Sequence, residues 1–144
     1  MKIFLAGIMQ GSHREPILHE QGYRTRIKDL LVEHIPGVEV YDPLADHGDS
    51  IAYDDDTGRE VFFGHNRMCR EVDAVLAFIP EASMGTAIEM WEAHQNGRAV
   101  LAISPLAENW SVKFCSHEIY PDMAAFETAL AAGRVRQRIV EVRS

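Results

Sequence analysis

Asp73-Ala74-Val75-Leu76-Ala77-Phe78-Ile79-Pro80-Glu81-Ala82-Ser83-Met84-Gly85-Thr86-Ala87-Ile88-Glu89 is the stretch whose reading decides the fold of this chain. From Ala74 to Ile79 the residues are all apolar, with no polar alternation, which describes a strand covered on both faces at the centre of a parallel sheet. Pro80 stops it. Downstream, Met84, Ala87, Ile88 and Trp91 recur at i, i+3, i+4 and i+7, the period of a helix that ends near Asn96-Gly97. A strand that passes through a small-residue turn into a helix is the front half of a β-α-β unit.

The rest of the chain supplies the partners. Ile3 to Ala6, closed by Gly7, reads as a first strand, and a helix from Tyr23 carries Ile27, Leu30, Leu31 and His34-Ile35 on one face until Pro36-Gly37 ends it. Val38 to Tyr41 is the second strand. Asp42 to Arg59 is polar and is expected to be a surface loop near the strand ends, and Glu60 to Val72 a helix with Val61, Met68 and Val72 facing inward. Ala99 to Ile103 is a fourth strand, Asn109 to Ser116 has no decisive period, His117 to Tyr120 is a short fifth strand, and Asp122 to Ala132 a helix capped by Asp122. The expected fold is α/β: a three-layer αβα sandwich, flavodoxin- or Rossmann-like, with a parallel sheet of about five strands in one domain spanning 1–144. Ligands in such sheets sit outside the carboxyl ends of the strands, here the residues after Ala6, Tyr41, Ile79 and Ser104.

A length of 144 residues with 47% hydrophobic and 25% charged residues suits a single core. The net charge of −8 argues against broad nucleic-acid binding, while leaving room for a small anion held locally. Cys69 and Cys115 stand outside any CxxC or Cys/His ligand spacing, and read as free thiols of a reducing compartment. The apolar run at Ile3 to Ala6 is too short for a signal peptide or a membrane span, so a cytoplasmic protein is expected. The histidines form no HxxxH or HExxH pair, and Asp54-Asp55-Asp56 lacks the alternating spacing of a calcium loop and reads as a solvated charge run. No motif asks for a metal or a cofactor. Arg134, Arg136, Arg138 and Arg143 near the C-terminus are read as solvated.

Two turns carry candidate binding residues. At Ser83-Met84-Gly85-Thr86 the free N–H groups of a helix start and the positive end of its dipole are presented together, Ser83 adds a hydroxyl, and Gly85 lets an anion approach the backbone. The same letters also fit ordinary capping, with Thr86 as N-cap and Glu89 three residues on, which needs no ligand. After the first strand, Gly7-Ile8-Met9-Gln10-Gly11-Ser12-His13-Arg14 combines two glycines, a hydroxyl and a cation, making Gly7, Gly11 and Ser12 candidates for a polar ligand. It is neither a GxGxxG fingerprint nor a P-loop, and an ordinary glycine-containing loop fits it as well.

The run Asp73 to Ile79, followed by Ser83-Met84-Gly85-Thr86-Ala87-Ile88-Glu89-Met90-Trp91-Glu92-Ala93 and by Gly97-Arg98 before Ala99 to Ile103, resembles the nucleoside 2-deoxyribosyltransferase superfamily. The likeness begins at Lys2-Ile3-Phe4-Leu5-Ala6-Gly7 and covers about two thirds of the chain. It implies N-glycosidic chemistry, in which the helix carboxylate, here Glu89, attacks the anomeric carbon and forms a covalent glycosyl-enzyme intermediate. Ser83 and Gly85, six and four positions before that Glu, match the branch that acts on nucleoside 5′-monophosphates, where a carboxylate would repel the phosphate.

The chain departs from the family about two helical turns before Asp73, where relatives carry an Asp beside the leaving base and this sequence has His65 and Asn66. The resemblance therefore makes His65 the candidate general acid, or else marks a lineage that binds a nucleotide without cleaving it. Tyr23 and Arg24 resemble the opening of the first helix in relatives and receive no role. Asn109 and Ser111 occupy the region from which relatives reach into a neighbouring subunit's site, while Trp110 fits equally a buried loop anchor. Trp91 is expected in the core or at a dimer interface, and a homodimer or larger homo-oligomer is implied. The alternatives are a non-catalytic nucleotide-binding or signalling module and, ranked last because its PGGxGTxxE pattern is absent, a phosphoribohydrolase of the lysine decarboxylase-like family.

Overall fold

Five strands, β1 (Lys2–Gly7), β2 (Glu39–Tyr41), β3 (Ala74–Phe78), β4 (Ala99–Ile103) and β5 (Glu118–Tyr120), pair in the order β2-β1-β3-β4-β5. Every pairing is parallel. The helices are α1 (Gly22–His34), α2 (Pro43–Asp46), α3 (Asp55–Cys69), α4 (Met84–Gln95), α5 (Trp110–Cys115), α6 (Met123–Ala131) and α7 (Arg134–Arg143), with a 3₁₀ turn at Ser50–Ala52. The computed structural model describes residues 1–11, 13–15 and 17–144.

Chain direction and the right-handed crossover rule assign the layers. β1 to β2 steps one way along the sheet and β2 to β3 the other, so α1 covers one face and α3 the opposite one. The two faces draw on alternate residues of the same strands. Ile3, Leu5, Leu76 and Leu101 pack with Ile27, Leu31, Phe126, Leu130, Val135 and Ile139 of α1, α6 and α7. Phe4, Ala6, Val75, Ala77, Val100 and Ala102 pack with Cys69, Met90, Ala93 and Val112 of α3, α4 and α5. Burial on both faces explains why β3 and β4 are continuous apolar runs.

Four expectations are corrected. Asp42 to Arg59 is largely not a loop: Asp42 caps α2 by accepting from Leu44 N–H at 3.0 Å, and Asp54 caps α3 by accepting from Thr57 N–H at 2.8 Å. Asp54, Asp55 and Asp56 are exposed, as a solvated charge run should be, but they cap and open α3, where the helix dipole favours negative charge, and do not lie in a loop. On α4 the stripe Met84, Ile88, Trp91 faces outward, and Thr86, Met90 and Ala93 form its buried face. The C-terminal arginines lie on α7: Arg134 and Arg136 are exposed, as expected, while Arg138 donates to the His117 carbonyl at 3.0 Å and Arg143 pairs with Asp73, so those two are not simply solvated.

Candidate functional site

The sheet order reverses between β1 and β3, and the chains leaving those two strands part to open a cleft of about 440 Å³ over their carboxyl ends. This is the crevice in which doubly wound folds bind ligands. Gly7 and Gly11 border it from the β1 side, and Ser83, Gly85 and Glu89 from the start of α4. His65 of α3 lines the same cleft, together with His47 and Tyr53 from the segment between α2 and α3.

Close packing beneath the β1 turn dictates its glycine. A Cβ on Gly7 would run into the hydroxyl of Tyr23, which donates to the Ile8 carbonyl at 2.9 Å while its ring stacks on Phe78 at 4.2 Å. Arg24 lies beside it, almost fully buried, and donates to the Leu5 carbonyl at 3.1 Å, the Gly7 carbonyl at 3.3 Å and Asp42 Oδ1 at 3.0 Å. One guanidinium therefore ties the end of β1 to the end of β2. Gly11 takes φ +57°, a left-handed backbone that glycine adopts without strain. Ser12 lies outside the described residues.

At the α4 turn the capping-box reading fails. The N-cap is Ser83, not Thr86, and Ser83 makes no side-chain bond to the helix backbone; its Oγ instead contacts Thr86 Oγ1 at 2.9 Å. Thr86 is buried within the first turn, and Glu89 projects from the second. The leading N–H groups of α4 are thus left to the cleft, where they and the dipole favour an anion. Gly85 has open space where a Cβ would stand.

Glu89 sits in the cleft wall with its carboxyl largely removed from water. Burial pushes its pKa up to about 8, against a smaller downward pull from the Arg24 guanidinium. His65 behaves oppositely. Burial, then the neighbouring His47 and Arg24, hold its imidazole below the ordinary value, with Asp46 pulling the other way. Its Nε2 meets the Tyr41 hydroxyl at 3.2 Å, and Phe4 packs against its ring. The carboxyl and the imidazole thus share one open cleft.

Asn109 and Ser111 are not brought into it. They border a smaller neighbouring hollow that shares Ser83 and Met84 with the main cleft. Asn109 is the N-cap of α5, accepting from the N–H groups of Ser111 at 3.1 Å and Val112 at 3.4 Å. Trp110 is 77% exposed and anchors no core, and Trp91, half exposed, is likewise outside it.

Among solved structures, the chain is similar to a 2-deoxyribosyltransferase from the psychrotolerant bacterium Bacillus psychrosaccharolyticus, at 20% identity and a TM-score of 0.62 over 88% of this chain and 90% of that one. The chain has that fold. FerB, a flavoenzyme NAD(P)H:acceptor oxidoreductase from Paracoccus denitrificans, is also similar, at 20% identity and a TM-score of 0.43, over 98% of this chain and 71% of its own. No protein-family model and no curated protein matches the sequence.

Five residues of this cleft or its frame received no role in the sequence analysis: Arg24, Tyr41, Asp42, His47 and Tyr53. The rule of strand carboxyl ends, applied after Tyr41, reaches Asp42 directly. A charged Arg at the third position of a helix that docks on β1 was a second signal, since a buried guanidinium needs a partner. His47 and Tyr53 join the site only through the folding of the segment between α2 and α3, and no local pattern announces them.

Proposed function

We propose that the chain cleaves or transfers at the N-glycosidic bond of a nucleoside 5′-monophosphate or nucleoside, through a covalent glycosyl-Glu89 intermediate. One observation carries the reading: Glu89, the open N-terminus of α4 and His65 border a single cleft at the β1/β3 switch point. The C1′–N bond breaks with its electron pair going to the base nitrogen, His65 delivers the proton that the leaving base takes up, and a Glu89 oxygen bonds to C1′. Water or a second base then attacks C1′, the C1′–O bond to Glu89 breaks with its electron pair returning to the carboxylate, and His65 takes the proton of the incoming nucleophile. A 5′-phosphate fits the α4 N-terminus beside the Ser83 hydroxyl, with Gly85 leaving room for it and Gly7 and Gly11 bordering the cleft from the β1 side. These steps draw only on carboxylate, imidazole and water.

A homo-oligomer is part of the same proposal. Met84, Ile88 and Trp91 of α4 and Trp110 and Phe114 of α5 are exposed apolar side chains on two helices that border the hollow holding Asn109 and Ser111. A second copy seated there sets those two residues against the mouth of the cleft. The free thiols fit a cytoplasmic location.

The competing reading is a nucleotide-binding module without chemistry, and the raised pKa of Glu89 favours it, because a protonated carboxyl is no nucleophile. Incubation with a panel of nucleosides and 5′-monophosphates, with free base followed by chromatography, separates the two. Base release that vanishes in Glu89→Gln supports the enzyme; nucleotide-dependent thermal stabilisation without release from any substrate leaves the binding module.

A further inference from the structure

The cleft that holds Glu89 is also lined by two imidazoles, His47 and His65, each tied through one ring nitrogen to a tyrosine hydroxyl. His65 Nε2 meets Tyr41 at 3.2 Å, and His47 Nδ1 meets Tyr53 at 3.0 Å. The two rings lie edge to face with centroids 5.2 Å apart. A phenol is the stronger donor and an sp² imidazole nitrogen the stronger acceptor, so each tyrosine donates and each ring proton is left on the other nitrogen. That makes His65 Nδ1 and His47 Nε2 N–H donors, and among the described residues no acceptor takes either one. Burial, with Asp46 and Asp42, keeps the Tyr41 phenol protonated for this task. Phe62 and Ile51 border the same part of the cleft and offer apolar surface to a planar ring.

We propose that this imidazole pair is the seat of the heterocycle and selects a base whose edge presents two neighbouring acceptors, the 6-oxopurine class, over one that presents an amino group there. The proposal rests on the glycosidic reading of the cleft and makes His47 a specificity-determining residue. Free N–H donors on two neighbouring rings suit the O6 and N7 acceptors of a 6-oxopurine, whereas a 6-aminopurine sets its N6 donor against one of them. An unmatched donor pair at a partly desolvated edge costs roughly tenfold or more in affinity. The tyrosines act through the rings they orient, as positioning residues.

Calorimetric titration of the protein with hypoxanthine and with adenine tests this without requiring turnover. Hypoxanthine is expected to bind roughly tenfold tighter or better. Tyr53→Phe, which keeps the ring but frees the His47 tautomer, and His47→Gln are each expected to bring the ratio towards one, with unchanged circular dichroism. Equal binding, a preference for adenine, no binding of either base, or a preference untouched in both variants overturns the proposal. Selective base binding with no release from any nucleoside or nucleotide sinks the glycosidic reading alone. Equal kcat/KM for inosine and adenosine 5′-monophosphates sinks the base preference alone.

Discussion

Replacing Glu89 by glutamine is expected to stabilise the folded protein above about pH 8 and to leave its stability unchanged near pH 5. Burial lifts this carboxyl from its ordinary 4.5 to about 8, with Arg24 opposing. An acid with a higher pKa folded than unfolded binds more protons in the folded state between the two values, so stability falls as pH rises through that window. The full loss is about 5 kcal/mol at ~1.4 kcal/mol for each pH unit, and the side of the carboxyl open to cleft water trims it to about 3 kcal/mol. Glutamine keeps the shape and cannot ionise. Urea unfolding of both proteins at several pH values between about 5 and 8.5 isolates the term, because every other titrating group cancels in the difference. A flat difference, or a wild type that gains on the variant as pH rises, refutes the assignment of a desolvated Glu89 to the cleft wall.

The remaining predictions concern the frame of the site and its surface. Gly85→Ala meets nothing within 4 Å and should hold the stability or raise it, by up to about 1 kcal/mol of helix propensity read as a higher melting temperature, while titration shows weakened binding of 5′-monophosphates relative to nucleosides. Arg24→Ala leaves Asp42, whose side chain is 13% exposed, without its partner, and should cost about 3–5 kcal/mol in chemical denaturation. Trp110→Asp together with Phe114→Asp should yield monomers by sedimentation if the exposed face between α4 and α5 joins two copies; an unchanged sedimentation coefficient excludes that face.

Burial made some elements legible and charge concealed others. β3 and β4 were readable because both faces are covered, which leaves no polar residue to interrupt the run. The site was readable to the extent that it lies where strands end: Gly7, Ser83, Gly85 and Glu89 follow β1 and β3 directly. The α4 stripe was misread because Met84, Ile88 and Trp91 have the period of a buried face yet point to solvent, while the true inner face is Thr86, Met90 and Ala93, the last two packed in one cluster with Ala77 and Ala102. α7 escaped notice because only Val135 and Ile139 are buried, among arginines that bond to a carbonyl and to Asp73. The polar segment after β2 concealed α2 for a related reason. Its helix start relies on an Asp cap and a proline at the first turn, and no apolar period advertises it.

The two perturbed groups of the cleft stand in the reverse order from the one that glycosidic cleavage requires. With Glu89 near 8 and His65 below the ordinary imidazole value, the cleft proton at neutral pH rests on the carboxyl, whereas the reaction needs an ionised Glu89 facing a protonated His65. Both arrangements carry the same number of protons, so the reactive form is a minor species at a fixed share of the total between the two pKa values. Activity therefore follows a bell whose acid limb is the protonation of His65 and whose basic limb is the ionisation of Glu89, the opposite of the usual assignment of carboxylate and imidazole. His65→Asn is then expected to lower kcat and to replace the bell of kcat/KM by a single rise through about pH 8 as Glu89 ionises, with the acid limb below the ordinary imidazole range gone. If the acid limb survives that substitution, it belongs to another group, and His65 does not hand the proton to the leaving base.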